Sequence, residues 1–186
     1  MAVHVVRHRF SVDDYHAMAE AGAFRPDDRV ELIEGEIVDM TPIGLRHAAA
    51  VNILNRWLAM GCGTRAIVQV QGPVHLGPDS EPQPDIVVLG PAEDFYRTRP
   101  ALPDDVLLLI EVADTSLLYD RNVKMPLYAR AGMREAWLVD LARDEVQIHR
   151  EPGPAGFGRT EVRGRGTRLT PTAFPDLSLS VDELLG

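Results

Sequence analysis

The pattern of apolar and polar positions predicts alternating helices and strands along the 186 residues of the chain. Apolar residues at helical spacing, flanked by capping residues or glycine, predict helices at residues 11–22, 46–60, 122–132 and 180–185. Short apolar or alternating runs predict a hairpin and further extended segments at residues 30–38, 65–77, 84–89, 106–112, 135–140, 145–150 and 157–169. Neither an internal repeat nor a low-complexity linker interrupts this order.

Length, charge and cysteine content restrict the class of protein. A chain of this length and ordinary composition is expected to form one globular domain over residues 1–186. Its single cysteine, Cys62, excludes an intrachain disulfide, and the first ten residues resemble neither a signal sequence nor a membrane span, so a reducing cytoplasm is expected. The formal net charge of -9 argues against a protein that coats nucleic acid by bulk electrostatics, although a local basic patch is compatible with it.

An acid interrupts the most apolar of the predicted strands. The run "VLLLIEV" at residues 106–112 has no polar face, which predicts a central strand that is covered on both sides. Pleating places Leu109, Glu111 and Ala113 on one face. An isolated carboxylate is expensive to bury, so Glu111 needs a partner, a proton or a metal ion.

A second acid begins a neighbouring strand. Pro84 is tolerated at the start of a strand, and Asp85 is then the first polar side chain of the strand that follows. If the two strands pair, Asp85 and Glu111 project into one pocket. Carboxylate oxygens are the ligands that Mg²⁺ and Mn²⁺ prefer, so we expect these two acids to bind a metal ion.

The third candidate is the only lysine among nineteen basic residues, Lys124. A sequence that otherwise uses arginine is expected to keep lysine where a compact ammonium is needed, close to a metal-bound water or a phosphate. The alternative is that this single lysine remains in the sequence by chance and has no role in a site. Pro126 is expected to keep Met125 out of helical geometry, so that the helix begins only there. If both residues are helical, Asp120 could form an ordinary surface ion pair with Lys124.

Taken together, the motifs resemble a known family. In chain order, "ELIEGEI", "SEPQPDIVVL", "LLLIEVADTS", "YDRNVKMPLYARAG" and "EAWLVD" are similar to the Uma2 family, formerly a domain of unknown function, of the PD-(D/E)XK restriction-endonuclease-like superfamily. The resemblance covers about residues 10–185. It implies an α/β fold in a single domain, with a mixed β-sheet flanked by helices.

The resemblance also implies which residues carry the chemistry. The superfamily's Asp falls at Asp85 and its second acid at Glu111. In the standard motif a lysine lies two residues after the second acid, where this chain has Ala113. The family pattern resembles one in which the lysine has moved to the following helix, which is Lys124. The implied activity is that of an endonuclease that uses Mg²⁺ or Mn²⁺.

Four further residues are candidates for the site. His47 lies in the first turn of a predicted helix, where some nucleases of the superfamily place a metal-binding histidine; an exposed or internally satisfied histidine is the alternative. Glu31, Glu34 or Glu36 of the predicted hairpin could add an acid, although hairpin glutamates are usually solvated.

A run of arginines is the candidate nucleic-acid contact. Arg159, Arg163, Arg165 and Arg168 form the densest basic stretch of this acidic chain, which suits contacts with backbone phosphates. The same charges also suit a solvated edge strand that is kept from aggregating.

These observations lead to one main hypothesis and two alternatives. Asp85 and Glu111 would hold one divalent ion, and Lys124 would orient the attacking water or stabilise charge on the phosphate of a nucleic acid, expected to be DNA. No covalent nucleophile competes, because Cys62 has no obvious base and a G-x-S-x-G elbow is absent. The alternatives are an inactive binding or regulatory module with the same fold and a homodimeric interaction protein. No membrane association is expected.

Overall fold

The computed structural model describes residues 7–186, which form a six-stranded mixed sheet with helices on both faces. The α-helices are α1 (Val12–Glu20), α2 (Leu45–Cys62), α3 (Leu117–Tyr119), α4 (Met125–Arg130) and α5 (Val181–Leu185). The strands are β1 (Val30–Ile33), β2 (Glu36–Asp39), β3 (Ile67–Val70), β4 (Ile86–Leu89), β5 (Val106–Ala113), β6 (Glu135–Asp140), β7 (Glu145–Gly153), β8 (Gly156–Gly164), β9 (Arg168–Leu169) and β10 (Leu179–Ser180). Residues 1–6, which the prediction about signal sequences includes, lie outside the described part.

The order of strands in the main sheet is β3-β4-β5-β6-β7-β8, and only β5 and β6 run parallel. The sheet is therefore mixed, as the family resemblance implies. Strand β5 lies in its interior, which confirms the prediction from its apolar sequence. Ile86 of β4 pairs with Ile110 of β5 in antiparallel register, so Asp85 lies opposite Glu111 at the beginning of β4.

Each face of the sheet has its own hydrophobic core. Helices α2 and α5 cover one face, where fully buried Trp137 stacks against Trp57 with a centroid separation of 6.2 Å. Both tryptophans are thus structural. The segment from α3 to α4 covers the other face, where Tyr128 packs with Leu109 and Leu138. Glu111 lies on this second face, beside α4.

The N-terminal hairpin docks against the segment that leads into β4. Its turn uses Glu34 and Gly35, both at positive φ. The amide of Glu81 donates to the carbonyl of Leu32 at 2.8 Å, which fixes β1 beside the chain just before Asp85. The predicted hairpin is therefore confirmed, and it brings the side chains of β1 toward the main sheet.

The prediction that helix α2 ends at residue 60, before Gly61, is wrong. The helix continues to Cys62, and Gly63, with φ of 55°, caps it. Gly61 has a packing role instead, because a Cβ there would lie 2.6 Å from a side-chain carbon of Leu177.

Cys62 is buried and free. Among residues 7–186, no helix is long and apolar enough to cross a membrane.

The expected break before Pro126 is also wrong. A π-helical segment, Asp120–Lys124, leads directly into α4, and Met125 has helical φ and ψ of −59° and −45°. The amide of Met125 donates to the carbonyl of Asp120, five residues back. This wider turn gives the proline ring room beside the preceding carbonyls, which a regular α-helix does not provide. The direction of Lys124 is consequently fixed by continuous helix.

Candidate active site

The structure brings the three main candidates together. The amide of Val112 donates to Asp85 Oδ2 at 2.8 Å, and the amide of Asp85 approaches Glu111 Oε2 at 3.4 Å. Lys124 Nζ lies 3.0 Å from Glu111 Oε1. Two paired strands thus supply the acids, and the helical segment after β5 supplies the ammonium.

These residues lie in the floor of a cavity of about 540 Å³. Asp85, Glu111 and Lys124 are only 7%, 3% and 4% exposed. The cavity walls come from the loop between β2 and α2, the hairpin, and the residues that follow β5. The phosphate group of a ligand would therefore have to enter the cavity to reach the ammonium of Lys124.

Glu31 is the second partner of Lys124. Its Oε2 lies 3.0 Å from Lys124 Nζ and also accepts a hydrogen bond of 3.0 Å from the amide of Gln83. Glu31 is buried, so the expectation that the hairpin glutamates are solvated is wrong for this residue. The reason is the docking of the hairpin on the chain before β4, which places β1 over the ammonium.

Two further groups complete the buried network. The hydroxyl of fully buried Tyr128 donates to Glu111 Oε1 at 2.5 Å. Asp120 is buried as well and accepts a hydrogen bond from Ser116 Oγ at 2.6 Å. The expected surface ion pair between Asp120 and Lys124 is wrong, since both side chains face the interior and Lys124 is paired with two glutamates.

His47 and Gln71 hold Asp85 from the other side. His47 Nε2 lies 3.0 Å from Asp85 Oδ2, and Gln71 Nε2 donates to Asp85 Oδ1 at 3.3 Å. The hydrogen bond with Asp85 raises the pKa of His47, against the effect of burial. Nδ1 of His47 is buried and has no hydrogen-bond partner among residues 7–186. His47 therefore belongs to the site, as a neighbour of Asp85.

The site contains more carboxylate than ammonium. Burial raises the pKa of Glu111 to about 8; the charge of Lys124 opposes this shift, and nearby carboxylates add to it. Burial likewise raises the pKa of Asp120 to about 6. Burial alone would lower the pKa of Lys124, but Glu111 and Glu31 outweigh it and raise that pKa, so the lysine stays charged.

The other hairpin glutamates lie outside this network. Glu34 pairs with Arg130 at 2.5 Å on the surface, and Glu36 pairs with Arg9 at 3.3 Å. Their side chains are 50% and 46% exposed. Neither lines the cavity.

The arginine run begins on β8, the edge strand opposite the β3 edge of the sheet, and ends with Arg168 on β9. Glu161 pairs with both Arg159 and Arg163. Arg165 pairs with Asp144 at 3.0 Å, and Arg168 donates to Ser178 Oγ at 2.6 Å. None of these arginines lines the cavity. Phosphate binding by the run stays a prediction.

The residues in the floor suit a divalent ion that is held by few protein ligands. Within residues 7–186, no group of three or more His, Cys, Asp or Glu side chains is arranged to hold a metal ion. Glu111 Oε2 and Asp85 Oδ1, however, have only the long contacts of 3.4 Å and 3.3 Å, so each carboxylate keeps an oxygen with free lone pairs. Mg²⁺ is commonly bound through one or two carboxylates, with water and substrate phosphate as the remaining ligands.

Sequence comparison identifies the family. Residues 12–182 match the Uma2 family, which is described as "Putative restriction endonuclease". The chain belongs to the Uma2 family. A comparison of this Uma2 chain with curated proteins finds no match.

The fold of this Uma2 chain has also been seen in a crystal structure. A protein from Anabaena variabilis, described as "a putative nuclease belonging to DUF820", superposes with a TM-score of 0.74 at 18% sequence identity. The alignment covers 95% of this chain and 97% of the other. The similarity establishes the shared fold.

Some residues of the Uma2 site were not found from the sequence. Tyr128 and Gln71 were missed, and Asp120 was assigned to the surface. Tyr128 lies four residues after Lys124, a spacing that places two side chains on one helical face and that could have indicated a shared environment. Gln71 gives no comparable signal, because its contact with Asp85 depends on how β3 pairs with β4.

Proposed function

We propose that this protein is a Mg²⁺- or Mn²⁺-dependent endonuclease that hydrolyses phosphodiester bonds of nucleic acid. The observation that carries the proposal is the convergence of Asp85, Glu111 and Lys124 in the floor of one cavity in a chain of the Uma2 family. Membership of a family described as "Putative restriction endonuclease" supports the reaction class, and the positions of the three side chains support the assignment of roles.

Asp85 and Glu111 would hold the ion. Their carboxylates are fixed by the amide of Val112 and by the hydroxyl of Tyr128, so they need little reorganisation when the ion binds. A bound divalent ion would supply Lewis acidity at a phosphate oxygen and lower the pKa of a coordinated water. Glu111 must release its proton to become a good ligand, and the nearby ammonium favours that release.

Lys124 would act on the phosphate or on the attacking water. An ammonium has three N–H donors, and the contacts with Glu31 and Glu111 use two of them. The third is left for a substrate oxygen in the cavity. In a buried site of low effective dielectric, such a donor stabilises developing negative charge strongly. Glu31 and Tyr128 would be positioning residues, since they contact Lys124 and Glu111 rather than the substrate.

The partner would be nucleic acid, with DNA as the expected substrate. A homodimer stays a prediction that rests on symmetry alone, because cutting both strands of a duplex with one site per chain favours two copies.

One observation favours a second candidate, an inactive module with the nuclease fold. Lys124 bridges Glu31 and Glu111, so part of the acidic charge is already neutralised within the protein. An interaction protein could use the same bridge purely to hold the hairpin on the sheet. Such a protein would keep its binding partners when the acids of the floor are replaced.

The two candidates are separated by a cleavage assay. Supercoiled plasmid and labelled single-stranded DNA and RNA are incubated with Mg²⁺, Mn²⁺ or EDTA, using wild type, Asp85→Asn and Lys124→Met. The nuclease proposal predicts cleavage that requires the ion and is lost in both variants, while Glu34→Gln, an exposed hairpin acid, cleaves like wild type. Equal trace cleavage by all four proteins would indicate contamination and favour the inactive module.

A further inference from the structure

Two exposed apolar side chains stand at the mouth of the cavity. Leu118 of α3 is 70% exposed and Ile43, in the loop before α2, is 44% exposed, and both line the cavity. Their segments meet there, because a Cβ at Gly44 would lie 3.4 Å from Asp114 Oδ2. Scattered surface leucines are common, but two from separate segments at one polar cavity need an explanation beyond folding. We call Ile43 and Leu118 the apolar rim.

The charges of the cavity offer little attraction to a row of phosphates. Its acidic lining residues are Glu31, Asp39, Asp85, Glu111, Asp114 and Asp120. Among residues 7–186, the lining residues that carry a fixed positive charge are only Arg29 and Lys124. A duplex presents two closely spaced rows of phosphates and is usually held by many basic contacts, which this lining does not offer. The affinity for nucleic acid must therefore come largely from other groups.

The depth of the floor adds a steric argument. Lys124 is 4% exposed, so a phosphate has to enter the cavity, below the protein surface, to reach it. Duplex DNA is stiff, with a persistence length of about 150 base pairs, and bending it into a recess is expensive. A single strand bends freely and also exposes the faces of its bases, on which apolar side chains can pack.

We propose that the cavity takes an unpaired, single-stranded segment of nucleic acid, with one phosphate at Lys124 and the adjoining base faces on the apolar rim. This inference rests on the proposed function for the chemistry at the phosphate and adds the strandedness of the substrate. The rim offers apolar contacts to base faces that a single strand already exposes, whereas a duplex would first have to be unstacked.

The experiment compares one labelled sequence as a single strand, as a perfect duplex and as a duplex with a central unpaired bubble. Cleavage is followed in Mg²⁺ or Mn²⁺. Binding is followed by fluorescence anisotropy in Ca²⁺, an oxygen-seeking ion with less strict geometry. The variants are Ile43→Ser and Leu118→Ser, with Phe95→Ser as control, because Phe95 is 71% exposed but lies beyond the other end of β4 and outside the cavity lining.

We expect the single strand and the bubble to be bound and cut at least about tenfold better than the duplex. Each rim variant should weaken single-strand binding by about fivefold to tenfold, while Phe95→Ser behaves like wild type. Preference for the duplex, or rim variants that bind the single strand normally, would overturn the inference and leave the proposed function standing. So would a change in the sedimentation mass of Leu118→Ser, which would assign the rim to self-association.

Failure of the proposed function would look different. In that case no substrate is cleaved with any ion, and the anisotropy measurement alone decides the inference. Single-strand binding that the rim variants weaken would support it, and binding that is absent or unaffected would overturn it.

Discussion

Lys124 Nζ lies 3.0 Å from Glu111 Oε1 and 3.0 Å from Glu31 Oε2, so one buried ammonium joins an interior strand of the sheet to the N-terminal hairpin. The contact places a fixed positive charge in the floor of the cavity. It also explains how the acid in the middle of β5 is tolerated, since Glu111 has a charged partner, a hydroxyl donor from Tyr128 and a raised pKa.

Replacing this lysine should affect both activity and stability. Lys124→Met keeps most of the apolar stem and removes the donor, so we expect cleavage to fall by about a hundredfold to a thousandfold. The change also leaves two buried glutamates without their cation, which should lower the free energy of unfolding by about 3–5 kcal/mol. Denaturant unfolding and single-turnover cleavage measure the two effects. Lys124→Arg tests the need for a compact ammonium; wild-type cleavage by this variant would contradict the assigned role.

Tyr128→Phe should shift the pH dependence of activity. The hydroxyl donates to Glu111 Oε1 and so stabilises the ionised carboxylate. Without it, the pKa of Glu111 rises further, and cleavage in Mg²⁺ should need a higher pH while losing about tenfold at neutral pH. A pH profile of kcat/KM separates this positioning role from a structural one, because simple destabilisation lowers the whole profile without moving it. A pH profile that does not shift would contradict a positioning role of Tyr128 at Glu111.

The metal-free protein should lose stability as the pH rises. The folded state keeps the proton of Glu111 up to about pH 8, whereas the ordinary pKa of a glutamate is 4.5. Because the folded state binds more protons between these values, the free energy of unfolding falls as the pH rises from about 4.5 to about 8. Urea unfolding in EDTA at several pH values measures this slope. Glu111→Gln should reduce the slope and leave the part that Asp120, whose pKa is also raised, contributes. An unchanged slope in that variant would show that Glu111 does not cause it.

Much of the fold could be predicted from the sequence because local signals and tertiary structure agree. The unbroken apolar run of β5 predicts an interior strand, and Ser180 with Glu183 predicts the cap of α5. Disagreements arise where a contact distant in sequence decides the outcome. Gly61 directly follows the helix predicted at residues 46–60, but the helix continues past this glycine, and Leu177 packs against it.

The site could be predicted in part for the same reason. The sequence predicts strands that carry Asp85 and Glu111 and places the two acids together if those strands pair, and the structure shows that they do. The burial of Glu31 could not be predicted, since it depends on the docking of the hairpin. The direction of Lys124 could not either, because a π-helical turn is not encoded by hydrophobic periodicity and the rule for residues before proline indicates the opposite.

The arginines of β8 should contribute little to nucleic-acid binding. Arg159 and Arg163 both pair with Glu161 on an edge strand, and neither lines the cavity. We therefore expect the double variant Arg159→Ala, Arg163→Ala to change affinity by less than about twofold. Anisotropy titrations at several salt concentrations test this. A large loss of affinity, with a salt slope reduced by about one for each lost contact, would support the phosphate contacts that the sequence suggests.

The most direct test of the central claim is calorimetric titration of Mn²⁺ into the metal-free protein at pH 8, without nucleic acid. A metal site formed by Asp85 and Glu111 predicts one ion per chain in wild type and in the control Glu34→Gln, whose acid lies on the surface. It predicts no binding in Asp85→Asn and Glu111→Gln, provided both variants are folded by circular dichroism. Equal binding by all four proteins, or none by folded wild type, would contradict a metal site formed by Asp85 and Glu111.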